Sequence, residues 1–286
     1  MRLTPVILSF NHPELTARCV TSVLEHFPDC PQVYLVHNGS QAATQEILRQ
    51  QFPNIRHIEL SENRGFSGGA NRGLGEAFRD GAENVFFLTN DTTLEKIPTQ
   101  ALFEETLKRK GALLNGDRGF LLAPRIERRQ TGKIDSVGGK VNLFTGSLRH
   151  LQFFEDQIPK NFYVPGTAFI LSREAWQKVG PFNEELGTYW EDVDLSLRAR
   201  QKGVWLGASP EVVLKHGVGK TCHKSPLYTV FYFHRNRRKV VWLHSNLIGK
   251  ILFSAVYGAS TLGKSFKFLK NKDIPRLKWL LRSLIS

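Results

Sequence analysis

Short apolar runs recur along the first hundred or so residues, and each gives way to a stretch whose apolar positions fall at helical intervals. Residues 4–10 form the first run, followed by Pro13 at a helix start and helical spacing through Phe27. Residues 32–36 precede a helical stretch over 41–51, residues 55–60 precede 70–79, and residues 84–88 precede 94–110. Short runs of this kind read as strands and the longer periodic stretches as helices. Their alternation predicts an α/β domain with a doubly wound, mostly parallel sheet. Ligands of such sheets sit beyond the carboxyl ends of the strands. His37-Asn38-Gly39-Ser40, Asn63-Arg64-Gly65 and Thr89-Asn90-Asp91 all fall at those ends, which points to one shared site.

The second half is less regular. Residues 116–162 are broken by turns at Gly132, Gly138-Gly139 and Gly146. A strand over 168–171 leads into a helix from Ser172, closed by Gly180-Pro181, and a further helix over 191–202 stops at Gly203. From Pro226 the pattern is helical, with Ile274, Leu277, Leu281, Leu284 and Ile285 near one face. Residues 240–262 are the most apolar of this part, but His244 and Lys250 interrupt them. A membrane-spanning helix needs about 20 predominantly apolar residues. The segment therefore reads as interfacial or as packed against the body, and its basic content favours membrane contact. The expected organisation is a domain over 1–225 and a basic amphipathic helical tail over 226–286.

Charge sharpens that division. The net charge is +13, yet from Lys215 onward there are fifteen Lys and Arg and one acid, Asp273, so that segment carries +14 and the rest −1. A near-neutral body with a basic tail suits an anionic partner, here an anionic membrane surface. No nucleic-acid-binding module is present in the tail, and nucleic acid is not an expected partner. Three cysteines, Cys19, Cys30 and Cys222, show neither metal-site spacing nor a disulfide framework, and Cys222-His223 reads as an incidental pair. The apolar run at 5–10 is too short for a secretory signal. The expected location is cytoplasmic, peripheral on the cytoplasmic face of the membrane.

The chemistry concentrates in Tyr189-Trp190-Glu191-Asp192-Val193-Asp194-Leu195, three acids at a helix start. Thr188 and Glu191 have the spacing of a capping box, which gives Glu191 a structural task besides a catalytic one. Asp194 is placed either to pair with Arg198, four residues on, or to touch substrate. Asp192 cannot serve the cap and is the candidate general base. Asp91 follows the apolar Val85-Phe86-Phe87-Leu88, and His216 follows Val212-Val213-Leu214. A carboxylate and a neutral imidazole are competent ligands for Mg2+ or Mn2+ against a diphosphate. The run from Asn63 to Gly73 leaves a strand and enters a helix, where glycines permit close backbone approach and free amides favour anions.

Taken in order, Val6-Ile7-Leu8-Ser9-Phe10-Asn11, Val36-His37-Asn38-Gly39-Ser40, Asn63-Arg64-Gly65-Phe66, Leu88-Thr89-Asn90-Asp91-Thr92, Val164-Pro165-Gly166-Thr167-Ala168, Gly180-Pro181-Phe182-Asn183-Glu184 and Trp190-Glu191-Asp192-Val193-Asp194-Leu195 resemble the inverting glycosyltransferases of family 2, which have the GT-A fold, and among them bacterial rhamnosyltransferase-like members. Tyr232 with Arg235-Asn236 resembles the start of these enzymes' helical tail. The resemblance implies inverting transfer of a sugar from a dTDP- or UDP-linked donor to a hydroxyl of a lipid-linked or glycan acceptor. It places the base on Asp192, with Glu191 and Asp194 beside it, and a divalent metal on Asp91 with His216 assisting. It assigns Ser9, Asn11 and Asn38 to the nucleoside, and Asn63, Arg64, Gly65, Asn90 and Asp91 to the nucleotide sugar. Thr89 stands at the first acid of an Asp-X-Asp motif, and His37 where the family commonly has an Asp that contacts the base. These two departures prompt the alternative of a non-catalytic nucleotide-sugar-binding or scaffold protein of the same fold.

Overall fold

The computed structural model describes residues 2–28, 30, 32–109, 118–153, 158–217 and 226–285; Lys110 and the Cys222-His223 pair lie outside them. β1 (Leu3–Ser9), β2 (Tyr34–Asn38), β3 (Arg56–Leu60) and β4 (Asn84–Thr89) pair in parallel in the order β3-β2-β1-β4. The crossovers are α1 (Pro13–His26), α2 (Ala42–Gln51) and α3 (Gly65–Arg79). β1 and β2 are buried along their whole length, as strands covered on both faces must be. Alternate side chains enter opposite layers: Val6 and Leu8 pack with Leu74, Phe78 and Phe87, while Ile7 packs with Val20, Val23 and Phe86.

Past β4 the sheet becomes mixed. β5 (Thr92–Lys96), α4 (Gln100–Arg109), β6 (Phe120–Arg128), β7 (Ile134–Ser136), β8 (Gly139–Asn142), β9 (Ser147–His150), β10 (Phe162–Tyr163), β11 (Ala168–Ser172), α5 (Arg173–Val179), α6 (Glu191–Gln201) and β12 (Trp205–His216) follow in the chain. The large sheet continues β4-β11-β6-β12-β5, with β11 antiparallel to both neighbours and β12 parallel to β6 but antiparallel to β5. β7 pairs with β6, and β10-β8-β9 form a small second sheet from the stretch that reads as irregular in sequence. The helix expected over 94–110 begins only at Gln100. Residues Thr92–Lys96 are instead an edge strand paired with β12, and the Leu94 amide donates to Ser22 Oγ at 3.0 Å. A partner so distant in sequence overrides local periodicity.

Three helices close the chain: α7 (Pro226–His244), α8 (Leu247–Lys270) and α9 (Ile274–Ile285). Val240 and Val241 of α7 and Phe253 and Tyr257 of α8 share one buried cluster with Trp190, Val193 and Leu197 of the body. Only the stripe Gly249, Phe253, Tyr257 and Thr261 of α8 is buried. Its neighbouring positions leave Ile248, Ile251, Leu252, Val256, Leu262, Phe266 and Leu269 in solvent.

Candidate active site

Because β1, β2 and β4 run in parallel, with Ser9 beside His37 and Leu8 beside Thr89, their carboxyl ends meet at one edge. There the polar side chains bind one another. Ser9 Oγ lies 2.9 Å from Thr16 Oγ1, to which Asn90 Nδ2 donates at 2.8 Å. Asn11 Oδ1 accepts from the Gln41 amide at 2.9 Å. Asn38 accepts from the Arg64 amide and donates to the Gly65 carbonyl, and Asn63 Oδ1 accepts from the Gly65 amide. Gly65 has φ +70°, and a Cβ there would lie 2.8 Å from the Gly187 carbonyl oxygen, so this turn admits only glycine. Arg64 pairs with Glu184 at 2.8 Å. These residues fasten the turns at the strand ends and hold the backbone in place around the site.

Asp91 and His216 are brought together by the pairing of β5 with β12, which sets His216 opposite Thr92. Asp91 Oδ2 lies 3.2 Å from His216 Nε2, and Asp91 Oδ1 accepts from Thr89 Oγ1 at 2.8 Å. Thr89 therefore orients the carboxylate in place of acting as a second acid. The donor set of one carboxylate oxygen and one imidazole nitrogen fits a hard or borderline divalent ion that keeps further positions for phosphate oxygens and water.

Asp192 is set by an unusual turn. Tyr189 and Trp190 take left-handed backbone conformations, with φ +70° and +72°, and Trp190 is the residue from which α6 starts. The N-cap residue Trp190 makes no side-chain cap, and Thr188 Oγ1 accepts from the Phe66 amide at 3.3 Å. Left-handed non-glycine residues carry strain that the surroundings must over-determine. The fully buried Asn236 of α7 does so, its Nδ2 donating into the carbonyls of Leu186 (2.7 Å), Thr188 (2.9 Å) and Tyr189 (2.8 Å). Asp192 Oδ2 then accepts from the Gly166 amide at 3.0 Å and Oδ1 from the Val193 amide at 2.8 Å. Burial pushes its carboxyl above the ordinary carboxylate value, against the pull of those two amides and of His150. Asp194 points elsewhere. It is 1% exposed and bound by Arg198 Nε and His244 Nε2, both at 2.8 Å. Burial opposes its ionisation, but His244 and Arg198 outweigh that and hold it below the ordinary value. The sequence left Asp194 between Arg198 and substrate; the fold gives it to Arg198 and to α7.

Asp91, His216, Glu191 and Asp192 line one cavity of about 790 Å³, within the range of small-molecule sites. Its other walls bring residues that sequence reasoning did not select: Phe66, Gly146, His150, Tyr163, Phe233 and Arg237. Phe66, Thr89, Tyr189, Trp190 and the Pro165-Gly166-Thr167 loop, which also line it, lay within motifs already visible. Asp194 and the strand-end residues Ser9, Asn11, Asn38, Asn63, Arg64, Gly65 and Asn90 are not among the lining residues.

Residues 5–179 match the model of glycosyl transferase family 2. An uncharacterised protein of Mycobacterium tuberculosis is 28% identical over 61% of this chain, and the chain spans 63% of the length of that relative. An N-acetylglucosaminyl-diphospho-decaprenol L-rhamnosyltransferase of the same organism is 26% identical over 71% of this chain and 72% of its own length. Among solved structures, residues 1–349 of S. aureus TarS in complex with UDP-GlcNAc superpose with a TM-score of 0.59 at 17% identity, covering 99% of this chain and 80% of that one. A mannosyltransferase of Pyrobaculum calidifontis in complex with GDP-Man and Mn2+ gives 0.54 at 14% identity, covering 99% and 86%. The fold likeness and the match over more than half of its length agree: this chain belongs to glycosyl transferase family 2 and has the GT-A fold.

Proposed function

We propose that the protein transfers a sugar, with inversion, from a nucleotide diphosphosugar to a hydroxyl of a lipid-linked or glycan acceptor, in the assembly of cell-surface glycan. The observation that carries this reading is that Asp192 and the Asp91–His216 pair line the same cavity. The resemblance and the rhamnosyltransferase relative favour a dTDP-rhamnose donor, ahead of UDP-linked sugars. Asp192 takes the proton of the acceptor hydroxyl as its oxygen bonds to the anomeric carbon and the bond to the diphosphate breaks on the opposite face. Its raised proton affinity suits a base that must draw a proton from an alcohol. Asp91 and His216 would hold Mg2+ or Mn2+, whose charge offsets that of the departing diphosphate. The backbone at Ser9–Asn11 and Asn38–Ser40, fixed by the side-chain network, borders the nucleoside.

The surface of α8 and α9 supports attachment to an anionic membrane face. The exposed apolar side chains of α8 alternate with Lys267 and Lys270, and Lys272, Lys278 and Arg282 continue the basic surface. No helix among the described residues is long and apolar enough to cross a membrane, so this contact is interfacial.

Thermal denaturation with dTDP, UDP and their sugars, with and without Mn2+, tests the reading. A metal-dependent rise in Tm with one nucleotide, lost in Asp91→Ala, is the expected result. Absence of any nucleotide-dependent shift in the wild-type protein would favour a scaffold of this fold with no donor.

A further inference from the structure

The end of the cavity built by α7 and the β8–β9 hairpin holds a cation to which the reading above assigns no task. Arg237 lines the cavity from α7 and is 8% exposed. One of its Nη atoms donates to the Thr145 carbonyl oxygen, and its guanidinium lies 5.7 Å and 5.3 Å from the ring centres of Phe253 and Tyr257. Its Nε–H is buried and meets no hydrogen-bond partner among the described residues. Gly146, also in the lining, stands in front of that nitrogen: a Cβ at this position would lie 2.5 Å from Arg237 Nε. Gly146 thus packs directly against the guanidinium, and a side chain there would displace it.

Lys264 adds positive charge nearby. His234 and Lys264 are joined through Nε2 and Nζ at 3.0 Å, and neither they nor Arg237 pair with a carboxylate among the described residues. Burial, then the charges of Lys264 and Arg237, push the His234 imidazole down to about 4. Burial and Arg237 hold the Lys264 ammonium below its ordinary value. A buried guanidinium with a free donor and no counter-charge is costly alone and is satisfied by an oxyanion. Leu148 and Phe233 line the cavity beside it, and α8, whose other side carries the exposed apolar face, supplies the rings beneath it.

We propose that Arg237, from its place in the cavity wall, binds the phosphate of a phosphate-linked hydrocarbon acceptor and so places the acceptor hydroxyl over Asp192. This rests on reading the cavity as a transfer site with the donor's diphosphate at Asp91 and His216. The donor's diphosphate is the other source of the same chemistry, and the test separates the two.

Binding of geranyl diphosphate and of geraniol is measured by calorimetry, with the donor site filled by excess dTDP or UDP and Mn2+. The wild-type protein is expected to bind the diphosphate and not the alcohol, and Arg237→Gln to weaken binding about ten- to a hundredfold while keeping its nucleotide-dependent rise in Tm. Gly146→Ala, whose Cβ would displace the Arg237 guanidinium, is expected to weaken the same binding and serves if Arg237→Gln fails to fold. Equal affinity in the wild type and both variants, equal binding of geraniol, or complete displacement by the nucleotide would overturn the proposal. Should nucleotides fail to stabilise the wild type while geranyl diphosphate still depends on Arg237, the transfer reading falls and the anion site stands.

Discussion

Asp192 and Asp194 are two residues apart on one helix and have opposite fates. Asp192 keeps its carboxyl in the cavity, held by the Gly166 and Val193 backbone amides, and its affinity for a proton rises. Asp194 is locked between Arg198 and His244, and its affinity falls. Replacing Asp192 by Asn is expected to lower the transfer rate by ~10²–10⁴-fold, the usual contribution of a positioned base, with nucleotide-dependent Tm shifts retained. Unchanged turnover in that variant would remove Asp192 from the chemistry. In the wild type, the acid limb of the rate profile should titrate above 3.8, because the active form is the ionised one. His37 shows a different use of burial. It is fully buried, stacked on His57, with Nε2 2.9 Å from His57 Nδ1. Burial, then His57 and Arg49, lower it from 6.5 to about 4, and burial lowers His57 as well. The unfolded chain therefore binds these protons more readily. The stability that the pair contributes is complete above 6.5 and is lost as the pH falls toward about 4. Melting temperatures recorded across that interval should fall with acidification, and less steeply in His37→Asn; parallel slopes in the two proteins would refute the assignment.

Among the elements, α7 does more than extend the chain. Its Asn236 satisfies three carbonyls of the turn that launches α6, its His244 holds Asp194, and its Phe233 and Arg237 form part of the cavity wall. The two left-handed residues Tyr189 and Trp190 persist because this helix packs against them, with Phe233 in edge contact with both rings. Asn236→Ala leaves these carbonyls without their donor and should cost about 1–3 kcal/mol. Asn236→Asp, which faces them with a charged acceptor, should cost more. Chemical denaturation of both variants gives the comparison, and an Asp variant as stable as the Ala variant would contradict the hydrogen-bond geometry.

Over the whole molecule, charge and apolar exposure are gathered on the same helices. The chain from Lys215 onward carries +14, and α8 with the turn after it presents Lys267, Lys270 and Lys272 beside Leu262, Phe266 and Leu269. Reversing those three lysines to Glu should sharply reduce sedimentation with vesicles containing anionic lipid, since each basic residue near such a surface is worth ~1 kcal/mol. Binding of the wild type should weaken with salt and vanish on neutral vesicles. The melting temperature should be unchanged, because these side chains are exposed. Vesicle binding that survives the triple reversal would place the membrane contact elsewhere.

Periodicity alone determined the parallel β1–β4 half and its crossover helices, because β1, β2 and β4 are local apolar runs buried on both faces. Motif order placed Asp91, His216 and Asp192 among the candidates, since their residue types and positions at strand and helix ends survive in one dimension. The edge strand β5, the small sheet β10-β8-β9 and the mixed order of the second half were not legible, because their stability comes from partners far along the chain. The same holds for the separation of Asp192 from Asp194. Both acids sit in one helical turn, and only the packing of Arg198 and α7 decides which is neutralised and which faces the cavity. His150, Tyr163 and Arg237 carried no signal in the sequence. What makes them part of a site is the closing of the β8–β9 hairpin and α7 over the cavity, a matter of contact and burial that no local pattern records.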